Sequence, residues 1–312
     1  MIHTYLVFSI AALALAVRWH WHQRSEGVTE HCTPDQWSKQ WWWARVALVL
    51  PSLWLLNGWI AILLMGSTGT MWGHSVSRWG SVLAGLGLAW AIAQLAIAWY
   101  QGRRSIAAVE TLPTVEIEGQ SARLLEQPLP YAAQVGFWRS QLVVSQGLLD
   151  QLTPEQVKAV LAHETAHATH HDTFTFFWLG WLHRLVSWLP GSERLWQEVL
   201  LLREIRADQQ AAIATDPLDV AEALLILAQS PLQPAAPLST AMATDTADGG
   251  QTGGDRLDRR VQALIQQTQT SASAQPVVSP DRFSLTRLTP TLWSWGLMGL
   301  AACPLLIITL HH

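Results

Sequence analysis

The stretch from 161 to 172, LAHETAHATHHD, carries four of the chain's 12 histidines, with a glutamate beside the first. His163 and His167 are four residues apart, so on a helix both imidazoles project from one face. Two neutral imidazoles so placed can take Zn2+. Glu164 is rotated by about 100° from His163, near such an ion without being forced to bind it. Zinc lowers the pKa of a coordinated water toward ~7, and a carboxylate at this spot can take the water's proton as its oxygen attacks a carbonyl. H-E-x-x-H also arises by chance in a histidine-rich chain, so the surrounding elements must carry the reading.

A catalytic zinc needs a third protein ligand and an open position. The metzincin spacing would put a histidine at 173, where Thr173 stands. His170 and His171 are too close on the same helix to close the tripod with good geometry. The better candidate is Glu204 in the downstream run LLREIRADQQAA. Asp208, one turn later on the same face, is placed to accept from the free N–H of a ligating histidine. The competing reading is a solvated helix laced with Arg203 and Arg206.

These residues require helices at defined places. Thr153 can cap a helix, Pro154 suits its first position and Gln156 completes a capping box, which sets His163 well inside a helix. Residues 111–147 read as strands and turns: TVEIEG and SARLLE around Gly119, then AAQVGFW and QLVVSQG. The run from Thr173 to Leu189 is apolar and aromatic except for a stripe of Gly180, His183, Arg184 and Ser187. At ~1.5 Å per residue it is about 25 Å long, marginal for a full span. It reads as interfacial, re-entrant or packed on membrane spans, the alternative being a buried hairpin of a soluble fold. Ser192 then caps the helix that bears Glu204, and Asp216-Pro217 starts another through Ala228. Residues 231–254 are a Pro-, Ala-, Thr- and Gly-rich linker. DRLDRRVQALIQQ is a short amphipathic helix, and 270–281 is linker again.

The rest of the chain is built for a bilayer. Half of its 312 residues are hydrophobic and only 13% are charged, against about a quarter in average soluble domains. Four stretches read as spans: Ile2–Val17, Ala44–Met65, Gly80–Tyr100 and Thr291–Leu310. Ile2–Val17 is read as a retained anchor, because no Lys or Arg precedes Arg18. Gly85, Ala89 and Ala93 form a small-residue face suited to close helix packing. Many of the 19 tryptophans lie at the ends of apolar runs, where a bilayer interface favours them. Arg18, Arg24 and Lys39 lie between spans one and two, with Arg45 at the edge of that loop, and Arg103 and Arg104 follow span three. This bias puts 101–288 in the cytoplasm and the N-terminus outside. That segment has 14 Lys/Arg against 20 Asp/Glu, which argues against nucleic acid as a partner. Two distant cysteines, Cys32 and Cys303, support no disulfide framework.

The motif set resembles the gluzincin-type membrane metallopeptidases of the BlaR/MecR class, and is similar to HtpX-type peptidases too. The matching pieces are His163-Glu164-x-x-His167, Asp172 at the end of that helix, Glu204-x-x-x-Asp208, and the approaches LTPEQVKAVLAHE and GFWRSQLVVSQGLL. Three spans before the zinc domain and one after suit BlaR/MecR better. The resemblance implies a zinc endopeptidase with His163, His167 and Glu204 as ligands and Glu164 as general base. It also implies that the AAQVGFW edge pairs with an extended substrate. The sequence has no Ser-x-x-Lys, so the penicillin-binding sensor of that class, and β-lactam sensing, are not expected.

The expectation is thus a mainly α membrane protein with about four transmembrane helices. A cytoplasmic α+β zincin-like domain is inserted between spans three and four. Residues 1–100 form a three-span region, 101–230 the zinc metallopeptidase domain, 231–254 a linker, 255–288 the amphipathic helix and linker, and 289–312 the last span. The chain is expected in the cell (inner) membrane as a multi-pass protein that holds one Zn2+. It would act on a protein substrate, either a membrane protein or a transcriptional regulator. HtpX-type quality control and a non-catalytic zinc-bound receptor or scaffold remain alternatives. An intramembrane protease does not fit, since His163 lies among Lys158, Thr165, Thr169 and Asp172.

Overall fold

The computed structural model describes residues 34–65, 70–71, 74–75, 78–229 and 252–273, with Ala12 and Ala16. The expected span Ile2–Val17, apart from Ala12 and Ala16, and all of Thr291–Leu310 lie outside the described residues. So do Cys32, Cys303 and the expected linkers, except residues 252–254 and 270–273.

Helices α1 (Pro34–Met65) and α2 (Arg78–Glu110) pack side by side, joined through the short strands β1 (Thr70–Met71) and β2 (His74–Ser75). Over Lys39–Met65 and Arg78–Glu110 both are long and apolar enough to cross a membrane. Along α2, Trp79, Leu83, Leu86, Ile92, Ile97 and Tyr100 are exposed. Such a face is costly in water and suits lipid. The small-residue stripe differs from expectation: Ala89 and Ala93 point outward, while Ala84 and Ala91 are the buried positions. The close approach is at Gly87, where an added Cβ would sit 2.5 Å from the Trp59 ring of α1. Four-residue steps identify a helix face, but α2 carries more than one small face, and the bulky Trp59 selects which one is used.

A four-stranded sheet follows: β3 (Thr114–Ile117), β4 (Gln120–Leu125), β5 (Ala132–Gly136) and β6 (Ser140–Ser145), in the order β3-β4-β6-β5. β3 and β4 form a hairpin across Glu118 and Gly119, both at positive φ. β4 runs parallel to β6 and β5 antiparallel to it, so the AAQVG strand is an edge. Gly136, at φ 155°, closes the β5–β6 turn where a Cβ would strike the Arg139 carbonyl. Val143 and Val144 of the central strand are fully buried. Val144 lies under α3 (Gln146–Gln151) and α4 (Pro154–Thr169), whose Leu148, Val157, Val160 and Leu161 share its core. The capping box forms: Gln156 N donates to Thr153 Oγ1, and Thr153 N to Gln156 Oε1.

After α4 the chain makes a helical hairpin of α5 (Asp172–Val186) and α6 (Ser192–Ala214). The apolar side of α5 is seated on the candidate spans. Phe176, Leu179 and Val186 share one core with Ala44, Ala47 and Leu48 of α1 and with Trp196 and Val199 of α6. Ser52 Oγ donates to the Leu182 carbonyl at 3.0 Å, and Trp181 Nε1 to the Ala91 carbonyl at 2.9 Å. The stripe read as polar turns partly inward, with His183 stacked on Trp196 and Gly180 against the same ring. Ser192 does not cap α6. Gly191, left-handed at φ 74°, takes that position, and the Ser192 hydroxyl donates back to the Val186 carbonyl. The tight turn after Leu189 points the hydroxyl toward the preceding helix.

Helix α7 (Pro217–Gln229) packs on α4, and α8 (Thr252–Ser273) lies along α6. Thr252–Ser273 is longer than the expected 255–267 segment, running into residues 252–254 and 270–273 of the expected linkers, and Gln267 Nε2 donates to the Gln209 carbonyl of α6.

Candidate metal centre

Helices α4 and α6 cross so that His163, His167 and Glu204 meet. One ligand atom from each lies within 4.8 Å of the others. The two Nε2 atoms are 3.0 Å apart. Glu204 Oε2 is 3.5 Å from His163 Nε2, and Oε1 is 3.8 Å from His167 Nε2. Four-coordinate zinc with bonds of ~2.0–2.1 Å separates its ligand atoms by about 3.3 Å. The three side chains therefore fit such an ion in chemistry and in spacing.

Each imidazole is turned by a carboxylate on its other nitrogen. His163 Nδ1 is 2.9 Å from Asp208 Oδ1, and His167 Nδ1 is 2.7 Å from Asp172 Oδ2. Nδ1 then carries the proton and the Nε2 lone pair faces the metal position. Each aspartate is in turn clamped by an arginine. Arg206 Nη2 donates to both oxygens of Asp172 at 2.6 and 2.7 Å. Arg260 of α8 presents a two-nitrogen fork to Asp208, Nε to Oδ2 at 2.7 Å and Nη2 to Oδ1 at 2.8 Å. Glu204 has its own cation, with Arg203 Nε 2.9 Å from Oε1.

These contacts set the charges of the metal-free centre. Burial alone would lower the His163 pKa, but hydrogen bonds and attraction from Asp208 and Glu204 lift it to about 10. Burial would raise Glu204, yet Arg203, His163 and Arg260 hold it well below the usual carboxylate range. Asp208 and Asp172 are also held low against burial, the first by Arg260 and His163, the second by His167 and Arg206. Burial and then the nearby Glu164 push the Tyr131 phenol up to about 12, so it stays a protonated donor beside that carboxylate.

Glu164 is buried on α4 next to His163. His170 Nε2 pairs with Gln210 Oε1 at 2.9 Å, and His171, left-handed at φ 50°, stacks on Trp138. Neither joins the three-residue cluster. Sequence reading missed Arg260, the bracing roles of Arg203 and Arg206, and Tyr131. Arg203 and Arg206 are visible in sequence as neighbours of Glu204, but there they enter only the competing reading of a solvated helix. Arg260 had no local cue.

Residues 110–235 match the model of Peptidase family M48. Over 47 residues the chain is 38% identical to "Protease HtpX homolog" of Sulfurovum sp. (strain NBC37-1), covering 15% of this chain and 17% of that protein. Over 62 residues it is 34% identical to "Protease HtpX homolog 2" of Sulfurisphaera tokodaii, covering 20% and 19%. The chain spans less than a fifth of the length of these curated relatives. No solved structure matches. The ligand cluster falls inside the family match: His163, His167 and Glu204 all lie in the segment similar to Peptidase family M48.

Proposed function

We propose that this chain is a membrane-anchored zinc-dependent endopeptidase that hydrolyses membrane-proximal or regulatory proteins. The observation that carries the reading is the convergence of His163, His167 and Glu204, with the buried Glu164 beside them. His163, His167 and Glu204 would hold the ion. Zinc there would supply Lewis-acid polarisation and make water acidic enough to attack at neutral pH. Glu164 takes the proton of the attacking water and returns it to the leaving amine. Asp208 and Asp172 keep both imidazoles aimed. The β5 edge offers backbone groups to an extended substrate strand. Among related types, the two HtpX-named relatives favour an HtpX-type enzyme over a BlaR/MecR-type one.

The depth of α5 supports a membrane-proximal substrate. Ser52, its partner on α1, is eight residues past Ala44, so about 12 Å below the expected cytoplasmic boundary. Ala91 is nine residues short of Tyr100, about 14 Å below the same boundary. From Leu182 back to Asp172 is ten residues, or about 15 Å upward along α5. The metal centre therefore stands about level with the membrane surface. The Lys/Arg bias puts that surface on the cytoplasmic side of the cell (inner) membrane. For the test, the purified full chain should contain about one zinc, cleave an unfolded protein such as casein, and lose that activity on chelation. Zinc content without any cleavage of soluble or membrane-inserted substrates would favour the non-catalytic receptor instead.

A further inference from the structure

We propose that Arg260, carried by α8, is a positioning residue of the metal centre: it holds Asp208 in the one orientation that aims His163 Nε2 at the ion. The inference rests on the reading of His163 as a ligand. The Asp208 side chain is 2% exposed. A carboxylate so far from water needs charged and hydrogen-bonding partners. It has two, His163 and Arg260. Asp208 Oδ1 accepts from both His163 Nδ1 and Arg260 Nη2, while Oδ2 accepts from Arg260 Nε. The planar fork therefore decides how the carboxylate plane lies, and that plane decides where the imidazole points. Arg260 Nη2 also lies 3.5 Å from Glu204 Oε2. One cation thus touches both the carboxylate ligand and the carboxylate that orients a histidine ligand.

The docking of α8 does not depend on this contact alone. Ala263 fills a space between Leu201 and Ile205, and Leu264 packs among Ala159, Ala211 and Val220. Arg259 makes its own fork to Glu198 at 2.7 and 2.9 Å. These positions recur at the three- and four-residue steps of one helix face. That face sets Arg260 over Asp208 as part of a wider interface. A segment 52 residues downstream of Asp208 thereby completes the centre.

The test uses the full chain and measures zinc affinity by chelator competition, together with the visible spectrum of the cobalt-substituted protein. Arg260→Ala should weaken zinc by about 10–100-fold and change the cobalt spectrum. Arg260→Lys, which keeps the charge and loses the fork, should fall between. Arg259→Ala breaks an α8 ion pair without touching Asp208, and should stay within about two-fold of wild type. The double variant Asp208→Asn/Arg260→Ala should bind zinc no worse than Asp208→Asn alone, because both act through one path. Unchanged affinity in Arg260→Ala, or losses that multiply in the double variant, would overturn the proposal. If Arg260→Ala does not fold, Arg260→Lys against Arg259→Ala decides: equal affinities refute it. A wild-type chain that binds no zinc would sink the proposed function itself, an outcome distinct from all of these.

Discussion

The two histidines of the centre are held by the same three-part arm, histidine to aspartate to arginine, built from different distances along the chain. The His167 arm is local. Asp172 begins the next helix, five residues on, and Arg206 reaches it from α6. It is braced from the membrane side, where Arg206 lies 5.0 Å from the Trp41 ring of α1. The His163 arm is assembled from afar. Asp208 comes from α6 and Arg260 from α8, beyond the residues 230–251. Its fork is more complete, with two arginine nitrogens against one, and its aspartate side chain is the more buried, 2% against 5% exposed. One ligand is therefore coupled to the membrane helices and the other to a downstream helix. The geometry of the ion depends on both staying in place.

The largest effect should come from removing an arm at its ligand. His163→Ala, His167→Ala or Glu204→Ala should each abolish stoichiometric zinc and all cleavage, as metal analysis of the purified variants would show. Retained zinc in any one of them would remove that residue from the ligand set. The next effect separates the arms. Asp208→Asn should weaken zinc by about 10–100-fold, and Asp172→Asn by less, because Asp208 is the more buried and the more fully clamped. A reversed order would mean that the membrane-side arm dominates.

The ligand set was legible in sequence, and each arm only in part: Asp172 and Asp208 stand out, but the arginines that clamp them do not. The capped helix, the His163–His167 pair and the placement of Glu204 and Asp208 follow from short-range rules: a capping box, a four-residue repeat and one helical turn. Arg260 follows from none of them. Its partner is 52 residues away, across a stretch rich in proline, alanine and threonine that carries no periodicity. The arginine pair at 259 and 260 reads equally well as a solvated face. The same limit explains the misplaced stripe on α2, where composition allowed several small faces and only Trp59 chose one. It also explains Ser192, whose hydroxyl answers to the carbonyl of a helix folded back beside it. The parallel pairing of β4 with β6 is likewise a long-range fact that alternation within each strand does not encode.

The finest distinction between the arms is a proton. The His163 pKa in the metal-free centre is raised to about 10, so the imidazolium is present at neutral pH and zinc must displace its proton. Zinc affinity should therefore rise by about tenfold per pH unit from this group between roughly pH 7 and 9. The stability of the metal-free fold should move the other way. A folded pKa above the unfolded ~6.5 adds stability that is full below that value and is lost as pH rises through about 10. Calorimetry in buffers of different ionisation enthalpy would read the proton release at pH 8 as about one per zinc from His163. No release there would contradict the charge state assigned to the His163 arm.

The claim that both arms serve a hydrolytic zinc is tested most directly at Glu164, which neither arm uses. Glu164→Gln preserves shape and hydrogen-bonding capacity and removes the base. The full-length variant should bind zinc as the wild type does, about one per chain, and should cleave no substrate that the wild type cleaves. Full cleavage activity in zinc-loaded Glu164→Gln would contradict the account.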